Sequence, residues 1–268
     1  MDIINIKDLT FRYGKKFLYD KFNLNVERGS WVTIAGPNGS GKTTLVKLLA
    51  GLEKSYGSIK VFGKVLNKKN LFTIRKDVGY VFDTPDNYFA CETVEDELAF
   101  SLENLATFPS TIKMKIKQIS EMLNIKDILK KNPYSLSGGE KQKVLLGCAL
   151  MLEPRIIILD EALMMVDINE RQKIYKILDE YCRKKLVTII SFTHSVEEAQ
   201  YSDRLIVLNE GKIVIDGPFP EVFKEENVMR KIGIEVPFEV ELSQKLKILG
   251  LTDRLYMDMR KLVKDLWK

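Results

Sequence analysis

Apolar residues fall along this chain in two rhythms. Residues 22–26 alternate apolar and polar side chains, whereas Trp31-Val32-Thr33-Ile34-Ala35 is a nearly continuous apolar run that stops at a glycine. Alternation predicts a strand with one face in water, and a continuous run predicts a strand covered on both faces. From Ser40 the rhythm turns helical: Thr44-Leu45-Val46-Lys47-Leu48-Leu49-Ala50 is closed by Gly51, a C-terminal capping residue. Residues 58–62 and 78–82 predict further short strands. Residues 94–152 are mostly helical in pattern, with breaks at Pro109 and Pro133. Apolar strands return at 156–159, 187–192 and 205–208, the last turning at Asn209-Glu210-Gly211 into residues 212–216.

Strands, a helical insertion, then strands alternating with helices predict an α/β fold with a mainly parallel sheet and right-handed crossovers. The expected domain spans residues 1–222, with an antiparallel β subdomain and a helical subdomain inserted at about residues 84–152. Beyond Pro220 a small C-terminal helical domain is expected, residues 223–268. There Leu242, Leu246 and Leu249 share one helical face, and Met259, Leu262, Val263 and Leu266 share another. Two apolar faces without chemistry-bearing residues suit dimerisation.

Composition narrows the class. At 268 residues and 45% apolar, the chain can bury a sizeable core. No apolar run approaches the ~20 residues that span a bilayer. Met1-Asp2-Ile3-Ile4-Asn5 opens no basic-then-apolar leader. Cys91, Cys148 and Cys182 form no CxxC pair, so reduced thiols are expected. A net charge of +5 reads as a solvated Lys-rich surface, with no nucleic acid as partner.

The chemistry enters at Gly36-Pro37-Asn38-Gly39-Ser40-Gly41-Lys42-Thr43, which fits G-x-x-x-x-G-K-[ST] after an apolar strand and before a helix. Such a loop wraps backbone N–H groups around phosphate oxygens, so the fold expected is a P-loop NTPase core of the RecA-like kind. Gly36, Asn38, Gly39, Ser40, Gly41, Lys42, Thr43 and Thr44 are the expected cradle for ATP. Lys42 would reach the β- and γ-phosphates, and the Thr43 hydroxyl would ligate Mg²⁺. The apolar run 156–159 ends in Asp160-Glu161. Beside a phosphate loop, Asp160 would hold Mg²⁺ and Glu161 would polarise the attacking water as general base.

Leu136-Ser137-Gly138-Gly139-Glu140 resembles the signature of ABC ATPases, with Glu for the usual final Gln. The resemblance covers roughly residues 3–219. It implies a head-to-tail pair with a second ABC ATPase subunit, Ser137, Gly138 and Gly139 reaching the partner's γ-phosphate. Tyr13 resembles the aromatic that stacks on adenine; its other reading is core packing beside Phe11. His194, after the apolar strand 187–192, resembles the family's switch histidine, which orients water around the base.

Phe82-Asp83-Thr84-Pro85-Asp86-Asn87-Tyr88-Phe89 and the tail stretch Glu235-Val236-Pro237-Phe238 resemble ATPases of energy-coupling factor (ECF) importers, which take up vitamins or transition-metal ions. That resemblance implies a transmembrane coupling subunit docking near Asp83 and Asp86, a substrate-binding membrane subunit, and work as a peripheral protein at the cytoplasmic face of the cell membrane. Asp83 stands in place of the Q-loop glutamine, where it could offer oxygen to the metal. Tyr88 stands in place of a second glutamine, and Met164-Met165-Val166-Asp167 keeps only the aspartate of the usual D-loop. These departures leave open a nucleotide-gated regulatory subunit that scarcely hydrolyses, or another ABC transporter ATPase.

Overall fold

The computed structural model describes every residue except Ser195, Pro220, Met257, Asp258 and Lys268. Two sheets form the centre. The first is antiparallel, in the order β2-β1-β4-β5, from β1 (Asp2–Tyr13), β2 (Lys16–Glu27), β4 (Tyr56–Val61) and β5 (Lys64–Val65). The second has the order β10-β9-β3-β8-β7-β6, from β3 (Trp31–Ala35), β6 (Val78–Val81), β7 (Ile156–Asp160), β8 (Thr188–Thr193), β9 (Arg204–Asn209) and β10 (Lys212–Gly217). Within it β6, β7, β8, β3 and β9 run parallel, and β10 turns back antiparallel on β9. Glu210 and Gly211 make that turn at φ 46° and 73°, the left-handed pair a tight hairpin needs.

The two burial patterns follow the layers. In β2 buried and exposed side chains alternate over residues 22–27, because only one face meets the core. In β3, β7 and β8 every residue is buried, since layers cover both faces. Val32, Ile34, Ile156 and Ile158 face the first sheet and α1 (Lys42–Leu49). Trp31, Ile157, Leu159 and Ile189 face the opposite layer of helices. That layer holds α3 (Val94–Glu103), α4 (Pro109–Met122), α5 (Gly138–Met151) and α6 (Ile168–Lys185). A short α2 (Leu71–Arg75) precedes β6.

Local signals set the helix starts. Thr93 caps α3 by accepting from the Asp96 amide at 3.1 Å. The breaks expected at Pro109 and Pro133 fall between helices. Pro109 is the first residue of α4 and Pro133 opens a 3₁₀ turn, positions where a missing N–H costs nothing.

The tail comprises α7 (Glu226–Lys231), α8 (Phe238–Ile248) and α9 (Met259–Leu266). Phe223, Met229, Ile234, Val236 and Val240 pack with Ala35, Leu205, Val207 and Ile215, so the tail shares a core with the edge of the parallel sheet. The inward residues of α8 are Val240 and Ser243; Leu242 and Leu246 are half-buried and Leu249 is 71% exposed. Ser243 fixes this rotation, because its Oγ donates to Glu239 O and accepts the Tyr256 amide at 3.1 Å. In α9 only Leu262 is buried. Among the described residues no helix is long and apolar enough to cross a membrane.

Candidate functional site

Parallel register brings the site together. Ala35 at the end of β3 pairs with Thr193 of β8, and Phe192 of β8 pairs with Asp160 of β7. The next residues along each strand, Gly36, His194 and Glu161, therefore emerge at one sheet edge from adjacent strands, roughly 5 Å apart per strand. That edge is the C-terminal end of parallel strands, where α/β sheets bind ligands.

The phosphate loop leaves β3 there and is held from behind. The Gly36 amide donates to Thr193 O at 3.3 Å, and the Gly211 amide donates to Ser40 O at 2.9 Å. Gly36 must be glycine: a Cβ would lie 2.3 Å from Leu208 O. Gly39 and Gly41 take φ values of 80° and 116°, which curl the amides inward at little cost only for glycine. The Tyr19 hydroxyl donates to Gly41 O at 2.9 Å from a fully buried ring. Lys42 is itself buried, and its Nζ donates to Gly36 O at 2.7 Å and Pro37 O at 3.2 Å, across the mouth of the loop. Burial pulls its pKa down, against the opposing pull of Glu161 and Asp160.

A cavity of about 420 Å³ opens over this loop, lined by Tyr13, Asn38, Gly39, Lys42, Thr43 and Thr44 among others, and by Glu161. Tyr13 stands at its rim, 53% exposed, while Phe11 is buried. Their rings meet edge to face at 4.9 Å, and the Tyr13 hydroxyl lies 3.3 Å from Thr44 Oγ1. Phe11 takes the core position, and the Tyr13 face is left free for a flat partner. Ser40 Oγ is buried with no partner among the described residues. An orphaned hydroxyl inside a ring of amides fits phosphate oxygens.

The acids lie across the cavity. Asp160 is 2% exposed, and its Oδ2 has no hydrogen-bond partner among the described residues. Burial first, then the neighbouring Asp83 and Glu161 carboxylates, push its pKa up to about 7, with Lys42 and Lys47 pulling the other way. Asp83 is exposed and accepts the Thr84 hydroxyl at 2.7 Å. Crowded, underpaired carboxylate oxygens fit a divalent cation. Among the described residues no protein-only cluster of metal ligands forms. Glu161 sits at φ 50°, its amide donating to Phe192 O at 2.9 Å. Left-handed backbone at a non-glycine is strained and frequent at functional sites. The bend carries the side chain to His194, whose Nδ1 lies 3.4 Å from Glu161 Oε1.

The signature lies elsewhere. Ser137 caps α5 in a capping box: its Oγ accepts the Glu140 amide at 3.3 Å, and the Glu140 carboxylate accepts the Ser137 amide at 2.8 Å. The Ser137 amide first, then the Ser137 hydroxyl donating to the same carboxylate at 2.7 Å, hold the Glu140 pKa down. Ser137, Gly138, Gly139, Met165 and Asp167 line a separate cavity. A Cβ at Gly138 would lie 2.6 Å from Met165 Sδ, and one at Gly139 2.8 Å from Met165 O. The signature glycines therefore let α5 press directly on Met165 and Val166.

Tyr19 and Gln142 escaped the sequence reading, which marked Gly211 only as a turn residue. Each acts on the site through a partner far along the chain, and no local pattern shows those contacts. The tail also enters: Glu235, Val236, Pro237, Phe238 and Glu241 line a second cavity, about 830 Å³, with Asn38, Glu161 and His194.

A glycine-cradled loop, a buried acid ending the next strand but one, and a helical insertion with its own capped glycine turn define the ATP-binding cassette class of P-loop ATPases. The ABC transporter family model matches residues 19–164. The energy-coupling factor transporter ATP-binding protein EcfA1 of Geobacillus kaustophilus is 36% identical, covering 99% of this chain and 96% of its own. Among solved structures, cbiO1 from Clostridium perfringens, part of the ABC transporter complex cbiONQ, superposes with a TM-score of 0.77 at 29% identity. That match covers 91% of this chain and 99% of cbiO1. A dimeric ATP-binding cassette in a post-hydrolysis state, bound to ADP and Pi, gives 0.74 at 25% identity, over 80% of this chain and 98% of its own. The chain belongs to the ABC transporter family of ATPases, among the ATP-binding proteins of energy-coupling factor transporters.

Proposed function

We propose that this chain is one of two ATP-binding subunits that power an ECF-type importer of a vitamin or transition-metal ion, attached peripherally to the cytoplasmic face of the membrane. The carrying observation is the meeting of Gly36, His194, Asp160 and Glu161 at one sheet edge, over a cavity with an orphaned Ser40 Oγ. Gly36, Asn38, Gly39, Ser40, Gly41 and Thr44 surround the phosphates of ATP, and Tyr13 stacks on the base. Lys42 leaves its carbonyl partners for the phosphates, a short swing because those carbonyls belong to the same loop. Thr43, Asp160 and Asp83 would hold Mg²⁺, which supplies charge neutralisation at the phosphate oxygens. Glu161 accepts a proton from the attacking water, and His194, 3.4 Å away, steadies that carboxylate and the water.

Ser137, Gly138 and Gly139 complete the site of a second, paralogous ATPase subunit, and that subunit's signature completes this one. The membrane coupling subunit docks at residues 83–86, presenting a cation to Asp86, and a further membrane subunit binds the cargo. Residues 223–268 aid assembly. The test is Glu161→Gln within the full complex. ATP affinity is expected to hold while turnover falls on the order of 10²–10⁴-fold. Near-normal turnover would remove Glu161 as the base.

A further inference from the structure

Immediately after the signature, α5 carries Lys141-Gln142-Lys143, and these side chains reach three different segments. Lys141 Nζ lies 2.6 Å from Asp86 Oδ1 in the 3₁₀ turn Pro85–Asn87. Gln142, 1% exposed, accepts the Met165 amide through Oε1 at 2.8 Å. Lys143 Nζ lies 2.9 Å from Glu170 Oε2 in the first turn of α6. Successive helical side chains point about 100° apart, so a single turn fans out to all three.

The links differ in kind. Gly138 and Gly139 already press on Met165 with no room for a Cβ, and Gln142 adds a buried hydrogen bond there. The signature, Met165 and Val166 are thus one packed body. The turn at Pro85–Asn87 meets α5 too, but the ion pair that ties it to the signature's first turn is Lys141–Asp86. The pair is asymmetric: the Lys141 side chain is 13% exposed and that of Asp86 59%. A covered ammonium depends on its partner, while the open carboxylate still has lone pairs for a second cation.

We propose that Lys141 is a positioning residue that carries movement of the docking turn into the signature helix, with Asp86 as a bridging carboxylate. One oxygen of Asp86 holds Lys141, and its open side takes a cationic side chain of the membrane coupling subunit. This rests on reading residues 83–86 as the docking turn. Pull on Asp86 then moves Lys141, α5 and the Met165 contact together, which shifts the signature that the partner's ATP must meet.

The experiment compares ATP turnover of the paired ATP-binding subunits alone with that of the full complex in lipid vesicles, and takes the ratio. Lys141→Ala is expected to keep ATP affinity, pull-down of the membrane subunit and the rate of the pair alone. The ratio should fall up to about fivefold, the upper range for one partly exposed ion pair. Lys141→Arg should restore it. An unchanged ratio in Lys141→Ala overturns the proposal, and so does an equal loss in both rates, which marks damage to the signature itself. Asp86→Ala separates the underlying reading: it should lose the pull-down. If it keeps the pull-down while Lys141→Ala lowers the ratio, docking lies elsewhere and Lys141 still couples.

Discussion

Replacing Tyr19 with phenylalanine removes one oxygen atom and tests whether the phosphate loop is held in shape from outside. The Tyr19 ring is fully buried, packs 4.9 Å from Phe22, and donates its hydroxyl to Gly41 O at 2.9 Å. Phenylalanine fills the same space, so no cavity opens. A net hydrogen bond is worth about 1 kcal/mol, and a buried carbonyl left with no donor costs up to about 3. Gly41 O also accepts the Leu45 amide at 2.9 Å, so it keeps one donor and the lower figure applies. Stability should drop by about 1 kcal/mol, or roughly 2–4 °C in Tm for a chain of this size. What is at stake is the peptide at Gly41, whose φ of 116° starts α1 and aims its first amides. If that aim depends on the bond, the same energy reappears in binding and ATP affinity falls up to about fivefold. Thermal unfolding with and without nucleotide, beside direct ATP titration, reads both numbers. A lower Tm with unchanged affinity would refute the claim that Tyr19 shapes the loop. A loss well above 3 kcal/mol would mean that the surrounding core had rearranged.

Two glycines should separate clash from strain. At Gly211, φ 73°, a Cβ would sit 1.6 Å from Leu18 O, so Gly211→Ala should cost more than about 4 kcal/mol or abolish soluble expression. At Gly39, φ 80°, nothing lies within 4 Å, so Gly39→Ala should cost only about 1–2 kcal/mol in a denaturant titration. Lys42→Ala should weaken ATP binding on the order of 10²-fold in a direct titration, since charge-assisted bonds are worth about 1.5–3 kcal/mol; unchanged affinity would move the cradle away from residues 36–43.

What could be read from the sequence was what a local rule governs. β3, the glycine loop and α1 follow one another as a continuous apolar run, a fixed motif and a helical rhythm, and they fall at the expected residues. β7 ends at Asp160, where the acids stand. β1 was not marked individually, because register shifts at several points along its pairing with β2 break the alternation that betrays a strand. The tail helices were legible as helices, and Leu262 of the expected α9 face is buried, but the inward face of α8 was not legible. A polar Ser243 faces inward because Tyr256 needs its Oγ, and apolar Leu249 stays outside. Gly211 was legible as a turn residue, but its hold on Ser40, like that of Tyr19 on Gly41, shows only once distant segments are brought side by side.

Two separate cavities on this chain give a physical reason for proposing a second subunit. The phosphate cavity is lined by residues of β1, β2, the loop and α1, with Glu161; the signature cavity is lined by residues 137–140, 143, 165–167 and 170. No residue lines both. Nor can the signature fold over onto its own loop by a local adjustment, because its glycines are pressed on Met165 and Gln142 pins the same segment. Ser137 Oγ accepts the Glu140 amide and also donates to the Glu140 carboxylate at 2.7 Å, which the Ser137 amide holds at 2.8 Å as well; the O–H can therefore turn from that carboxylate to an incoming phosphate while the oxygen keeps the cap. Glu140 adds a negative charge there, and the nearby Lys131 and Lys143 oppose it. A capped helix start with a releasable hydroxyl, lining a different cavity from the phosphate loop, makes sense as half of a site whose other half belongs to another copy of the same design.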